Sequence, residues 1–368
     1  MTTSKTKFLT HQGAAALNKN AILNYIKNYG PVSRTDIWEK MGLSRASVTQ
    51  IIKQFIEQGF VIEAGTGESR GGRKPSFIEF NANAKYMLAF DWHLKSLFLT
   101  NLNSSTVSKT TLSIKARIKP DELVTILKKA IDEVKKEHKL EDMNILGIGL
   151  IMPGLIDSSS GIVVLSTELG WKDVNIRKMM EDLSGIKTVV EADGNMFALG
   201  EYFHGTAQRA KDFILMEIEE EGMGTALILN GELQKGSNNL SGEIGHIKFS
   251  EDGYICSCGE KGCLDSIIKE LFKKQESNWK EEAARHIGLA VSIVINILDP
   301  KIVVLSGAII EQGGDDLVKK IKDIAAKNTL NIEKREVRIE KSMLGREGGV
   351  KGICGLIYNM TFSEIKKV

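Results

Sequence analysis

The chain has 368 residues, 42% of them apolar and 26% charged, a balance that excludes a disordered or Pro-rich chain and exceeds what one hydrophobic core normally organises. The net charge of +2 hides an asymmetry: residues 1–85 carry 12 Lys+Arg against 6 Asp+Glu, and the remainder 37 against 41, so a basic head is expected to meet a polyanion. No run approaches the ~20 apolar residues a membrane span requires; residues 289–298 are too few, so a cytoplasmic protein with reduced thiols is predicted.

The spacing of Ile22, Leu23 and Ile26 predicts a helix over 20–28, ended by Gly30-Pro31. Ser33 is placed to cap a second helix over 34–41 that buries Ile37 and Trp38. Gly42 makes a tight turn, and Ser44 caps a third helix from Arg45 to about Gln58, with Val48, Ile51, Ile52 and Phe55 inward. Two short helices, a glycine turn and a longer helix make a helix-turn-helix. Ser44, Arg45, Ser47, Thr49 and Gln50 stand at the start of the third helix, where a recognition helix reaches base edges and phosphates. Strands over 60–62 and 77–80 then form a wing. Its tip carries Arg70, Arg73 and Lys74 between glycines, a composition suited to a narrow minor groove. Taken alone, the tip also reads as a solvated basic linker; taken with the helices, it predicts binding to double-stranded operator DNA.

From residue 85 the pattern changes to an α/β one. Strands are expected over 87–90, 97–100 and 108–114, an amphipathic helix over 120–138, and strands over 145–151 and 188–192. The pattern repeats with strands over 213–218 and 224–229, a further stretch from Glu232, a long helix over 279–298 and a strand over 301–305. Three antiparallel strands followed by helix–strand units, twice over, predict a duplicated lobe pair around a ligand-binding cleft.

Several motifs along the chain carry a family likeness. They are Leu43-Ser44-Arg45-Ala46-Ser47-Val48-Thr49 and Gly72-Arg73-Lys74-Pro75 in the head. In the body they are Asp193-Gly194-Asn195, Ala198-Leu199-Gly200-Glu201, Gly242-Glu243-Ile244-Gly245-His246, the cysteine run 256–263 and the glycine-rich run 344–352. The chain resembles the ROK family (repressors, open reading frames and kinases), and within it the repressor branch. The resemblance implies a winged helix-turn-helix over residues 1–80, followed by a two-lobed actin-like sugar-kinase fold with two ribonuclease-H-type lobes. It places the first lobe over 85–195, joined by a C-terminal helix over 345–365. The second lobe spans 196–344 and carries the metal site and dimer interface.

His246, Cys256, Cys258 and Cys263 fall within 18 residues, in the spacing H-x9-C-x-C-x4-C. Three thiolates and one imidazole make a closed tetrahedral set, typical of one structural zinc ion per chain; reduced buried cysteines beside a core histidine are the other reading. Cys354 stands apart in an apolar helix and reads as core. The resemblance also implies that the metal fixes the loop holding a sugar through Glu243, a supporting role for His246.

Phosphoryl transfer needs backbone N–H groups to cradle phosphates in loops free of negative charge. The family's kinases carry Asp-x-Gly-x-Thr-Lys in the first hairpin; here that stretch is Asp91-Trp92-His93-Leu94-Lys95, without the glycine and with bulky Trp92 and Leu94. Their second phosphate loop aligns with Glu220-Glu221-Gly222-Met223-Gly224, which brings two carboxylates. No ATP-dependent activity is therefore expected. The sugar side is partly retained: Asp193 matches the family's base, and Glu243, His246 and Asp265 match further sugar contacts. Asp193 also reads as a helix N-cap. Ala192, Thr167-Glu168 and Asp265 depart from the family pattern. The expectation is a sugar- or sugar-phosphate-responsive repressor of carbohydrate genes, xylose metabolism among them, acting as a homodimer or tetramer. A sugar kinase with an accessory DNA-binding head, and a DNA-binding dimer that senses nothing, are the alternatives.

Overall fold

The computed structural model describes residues 11–66, 76–220 and 222–362. The head is built from α1 (His11–Tyr29), β1 (Val32–Ser33), α2 (Arg34–Met41), α3 (Arg45–Glu57), β2 (Val61–Thr66) and β3 (Ser76–Phe80). Its three strands pair in the order β1-β3-β2. Ser33 caps α2 through a reciprocal box with Asp36, and Gly42 ends that helix at φ 64°, a left-handed conformation that glycine adopts without steric cost. Ser44 caps α3 by accepting from the Ser47 amide. Ile37, Val48, Ile52 and Phe55 are buried as expected, whereas Trp38 is only half-buried. The wing tip, with Arg70, Arg73 and Lys74, lies outside the described residues.

The first lobe comprises β4 (Tyr86–Asp91), β5 (Ser96–Asn101), β6 (Thr106–Thr111), α4 (Pro120–Glu137) and β7 (Ile145–Met152). A small antiparallel sheet follows: β8 (Leu155–Asp157), β9 (Ile162–Ser166) and β10 (Trp171–Val174). Then come α5 (Ile176–Ser184), β11 (Thr188–Ala192) and α6 (Asp193–His204). Its main sheet runs β11-β7-β4-β5-β6, with β7 parallel to both β4 and β11. Helix α4 forms because Pro120 opens it and Leu123, Val124, Leu127, Ala130, Ile131 and Val134 recur on one buried face.

The second lobe holds β12 (Phe213–Ile218), β13 (Met223–Leu229), β14 (Glu232–Leu233), α7 (Leu264–Lys274) and α8 (Trp279–Leu298). It continues with β15 (Ile302–Ser306), α9 (Ala308–Asn328) and β16 (Arg338–Lys341), and α10 (Gly348–Phe362) is the last described element. The sheet order is β14-β13-β12-β15-β16. In each main sheet, three antiparallel strands are extended on one side by two parallel ones, so the two lobes repeat one topology as expected, with β16 an unexpected fifth strand of the second.

Helix α10 binds the parts together. It packs against α6 so closely that a Cβ at Gly352 would lie 1.8 Å from the Met196 carbonyl oxygen. Its far end carries the head: the Asn24 amide donates to the Phe362 carbonyl (3.4 Å), and the Tyr358 hydroxyl to Asn24 (3.2 Å). Buried residues of α1, α3 and β3 share one apolar cluster with Val350, Ile353, Leu356 and Tyr358.

Candidate ligand cleft, metal centre and DNA-reading helix

Strand β4 ends in Asp91, whose Oδ1 accepts from the Leu94 amide (3.0 Å) and closes a tight turn over residues 92–95. Trp92 does not project from this turn into the cleft. Its side chain is fully buried in the first lobe, its indole N–H donates to Glu168, and the Lys95 ammonium lies over its ring, 3.0 Å from the centroid. His93 faces the other way and is the side chain that meets Asp193: its Nε2 stands 2.7 Å from Asp193 Oδ2. That hydrogen bond, outweighing partial burial and reinforced by the negative charges around it, pushes the imidazole up to about 9. Asp193 is the first residue of α6 and makes no N-cap; its Oδ1 accepts from its neighbour Gly194 (2.9 Å).

More carboxyls converge here from the second lobe. Burial, then the charges of Asp193 and Glu219, push Glu217 up to about 8. Asp91 is likewise raised, by burial first. Glu219 accepts from the Ala308 amide at the start of α9 (3.1 Å). Glu220 is exposed, and Glu221 lies outside the described residues. Of the described residues, Glu217 and Glu219 bring acid groups to the cleft, whereas the expected Glu220 is exposed. The strand period offered a signal for Glu217, which follows Phe213 and Leu215 on one face of β12. His93 carried none, because its partner lies 100 positions away.

The metal set lies beside a second group of ligand candidates. The donor atoms of His246, Cys256, Cys258 and Cys263 all fall within 4.8 Å of one another. Cys256 Sγ is 3.5 Å from His246 Nδ1, and the Cys258 and Cys263 sulfurs are 3.7 Å apart. A tetrahedral ion with the bond lengths of zinc would set a thiolate and an imidazole about 3.5 Å apart and two thiolates about 3.7 Å apart. The four residues therefore fit a single metal ion. The free side of His246 points at Glu243, with Nε2 3.7 Å from its carboxylate. Asp265, in the first turn of α7, is 4% exposed. Its Oδ2 meets Lys269 Nζ at 3.1 Å and lies 3.8 Å from the Cys256 sulfur, while its Oδ1 has no partner among the described residues. Glu243, His246 and Asp265 are thus assembled around the metal set, and Asp193 stands on the first-lobe side with His93.

In the head, Ser44, Arg45, Ser47, Thr49 and Gln50 are all exposed. Ser44 and Ser47 share a 2.8 Å hydroxyl contact, and the Ser44 oxygen also accepts from the Ser47 amide (3.1 Å). Ser44 thus serves the helix start, and Arg45 stacks its guanidinium over Trp38 at 4.5 Å. Thr49 and Gln50 present side chains on the outward face of α3, opposite its buried Val48, Ile52 and Phe55.

Residues 96–271 match the model of the ROK family, and residues 17–62 that of the MarR family. The body is of the ROK family, and the head of the MarR type. A xylose repressor of Caldicellulosiruptor bescii is 25% identical over 392 residues, spanning 95% of this chain and 97% of that protein. A solved ROK-family transcriptional regulator, described as a homologue of the E. coli MLC protein, superposes with a TM-score of 0.79 at 22% identity, covering 95% of this chain and 97% of its own. A ROK hexokinase from Thermus thermophilus covers 75% of this chain and 98% of its own, with a TM-score of 0.63 at 21% identity. The ROK body accordingly has the actin-like sugar-kinase fold, and the winged helix precedes it as an added module. Among the described residues, no helix is long and apolar enough to cross a membrane.

Proposed function

We propose that this chain is a sequence-specific DNA-binding transcriptional regulator, a repressor of carbohydrate uptake or catabolism genes whose ROK cleft takes a sugar or sugar phosphate. The observation that carries the reading is the MarR-type head, which presents the polar start of α3 to solvent on a chain matched over nearly its whole length by a xylose repressor. The same reading takes residues 1–80 as the DNA-binding unit, 85–195 with 345–365 as the first lobe, and 196–344 as the second. Arg45, Ser47, Thr49 and Gln50, with Arg70, Arg73 and Lys74 of the wing, meet the duplex. Asp193, Glu243 and Asp265 accept hydroxyl hydrogens of the ligand. His246, Cys256, Cys258 and Cys263 hold a structural zinc ion that orients the Glu243 loop. A palindromic operator calls for paired heads, hence a homodimer or a dimer of dimers.

The kinase reading is disfavoured by charge and geometry. The 92–95 turn is closed by Asp91 and Trp92, and His93 occupies the carboxylate that matches the family's base. Glu217, Glu219 and Asp193 crowd acid groups into the cleft, a setting that disfavours the further negative charge of phosphates. The deciding experiment titrates the full chain against duplexes from pentose- and hexose-uptake promoters, followed by fluorescence anisotropy. The expected result is saturable binding to one palindrome, weakened by salt, with an affinity that shifts about tenfold on adding the effector. Binding no tighter than to random duplex, or sugar-dependent consumption of ATP, overturns the proposal.

A further inference from the structure

A buried ion pair joins the two lobes. Lys235 lies in the second lobe, two residues beyond β14, at the start of the loop that leads to Glu243. Its ammonium crosses to the first lobe and bonds Glu191 on β11. The same ammonium donates to Ser158 Oγ in the turn after β8 (3.0 Å). The pair is withdrawn from water: the side chains of Glu191 and Lys235 are 2% and 19% exposed. The other carboxylate oxygen of Glu191 is also committed, accepting from the Ala192 amide (3.0 Å) and from Asn195 Nδ2 (3.2 Å). Each of these partners flanks Asp193.

The consequence is geometric. Lys235 anchors its own loop, since its carbonyl accepts from the Ser241 amide (3.1 Å), one residue before Gly242 and two before Glu243. Glu191 anchors the strand end that delivers Asp193. A ligand held by both acids needs their separation fixed, yet they belong to different lobes. A charge-assisted, buried and multiply bonded pair is the kind that fixes geometry, because either member left alone keeps an uncompensated buried charge.

We infer that Lys235 is a positioning residue of the cleft: by clasping Glu191 and Ser158 it holds the Glu243-bearing loop on the Asp193-bearing strand and keeps the lobes closed. The clasp itself does not depend on what the cleft binds. Only its consequence for ligand affinity rests on the effector-site reading.

The test therefore has two arms on the full chain. In the first, hydrogen exchange is measured without ligand for the wild type and for Lys235→Met, Glu191→Gln, the double variant, Ser158→Ala and Lys301→Met. The last breaks an exposed pair within the second lobe and serves as a control. Lys235→Met and Glu191→Gln should each speed exchange of the amides over residues 236–243 by about tenfold. The double variant should add nothing further, Ser158→Ala should act weakly in the same direction, and Lys301→Met should leave the segment unchanged. Unaltered exchange over 236–243 in Lys235→Met or Glu191→Gln overturns the inference, and Ser158→Ala decides it if either of those fails to fold. The second arm titrates xylose calorimetrically into the same proteins. With binding by the wild type, a loss of about tenfold in Lys235→Met, partly restored by Lys235→Arg, supports the positioning role, and equal affinities overturn it. No heat from any protein counts against the xylose reading alone, because the exchange arm still decides the clasp.

Discussion

His93 and Asp193 form a contact whose strength depends on pH. The folded imidazole titrates at about 9, chiefly because Asp193 holds its proton, against about 6.5 in an unfolded chain. A raised value means that the pair's contribution is fully present below about 6.5 and is lost as pH climbs through 9. Both side chains are about half exposed, so the effect on stability is small and the titration itself is the better readout. The expected outcome is an NMR titration of the His93 ring with a midpoint near 9 that falls by at least one unit in Asp193→Asn; a midpoint near 6.5 in the wild type refutes the pairing. The loss of glycine from the 91–95 stretch was legible and pointed away from phosphate binding. Which way each bulky side chain turned was not, since it depends on Glu168 and Asp193, both distant in sequence. Trp92 therefore went to the core, and His93 took the cleft.

Helices and strands with strong periodicity were legible. The long helix α8 and strands β11 and β12 match their expected bounds, because each carries enough apolar residues at one spacing to fix its own limits. The small sheet β8–β10 went unseen: its strands are three to five residues long, too short to display a period. The metal segment shows the opposite case, where composition spoke more clearly than periodicity. Residues 247–263 form no helix or strand beyond two isolated bridges, Lys248 with Cys263 and Ile255 with Lys261. With so few backbone bonds, the segment depends on its side chains for a fixed shape, and a structural metal supplies that directly. Elemental analysis should find one zinc per chain, and Cys258→Ser should lower it at least severalfold. Chelation should open residues 247–263 to protease while the exchange of β12 and β15 stays slow. A metal content near zero in freshly purified protein, or a segment equally protected after chelation, removes the zinc assignment.

At the scale of the whole molecule, the head and the cleft are the two ends of one helix. Near its start, α10 brings Gly349 against Asp91: a Cβ there would lie 3.6 Å from Asp91 Oδ2. At its end, Tyr358 and Phe362 receive α1 of the head. The sequence indicated two functional ends but not that they share an apolar cluster, because the contacts join residues more than 300 positions apart. The seam is marked by Lys27. Its ammonium donates to the Leu102 carbonyl (2.8 Å) and sits 3.5 Å above the Tyr358 ring. Burial pulls this amine down to about 8, against about 10.4 for a free lysine. A lowered value means that folding favours the neutral amine, so stability from this group is present above 10.4 and is lost as pH falls through 8. Docking of the head should tighten between those limits. Lys27→Met keeps the length of the side chain and removes the titrating group. The wild type should therefore gain about 2 °C in melting temperature relative to Lys27→Met between pH 8 and pH 10.5, the small shift expected for a chain of this size. Hydrogen exchange should place the gain in α1 and the end of α10. A temperature difference that stays constant across that range, or a gain located in the second lobe, would show that Lys27 does not govern the seam; the pH-dependent outcome would place its titration at the contact between α1 and the end of α10.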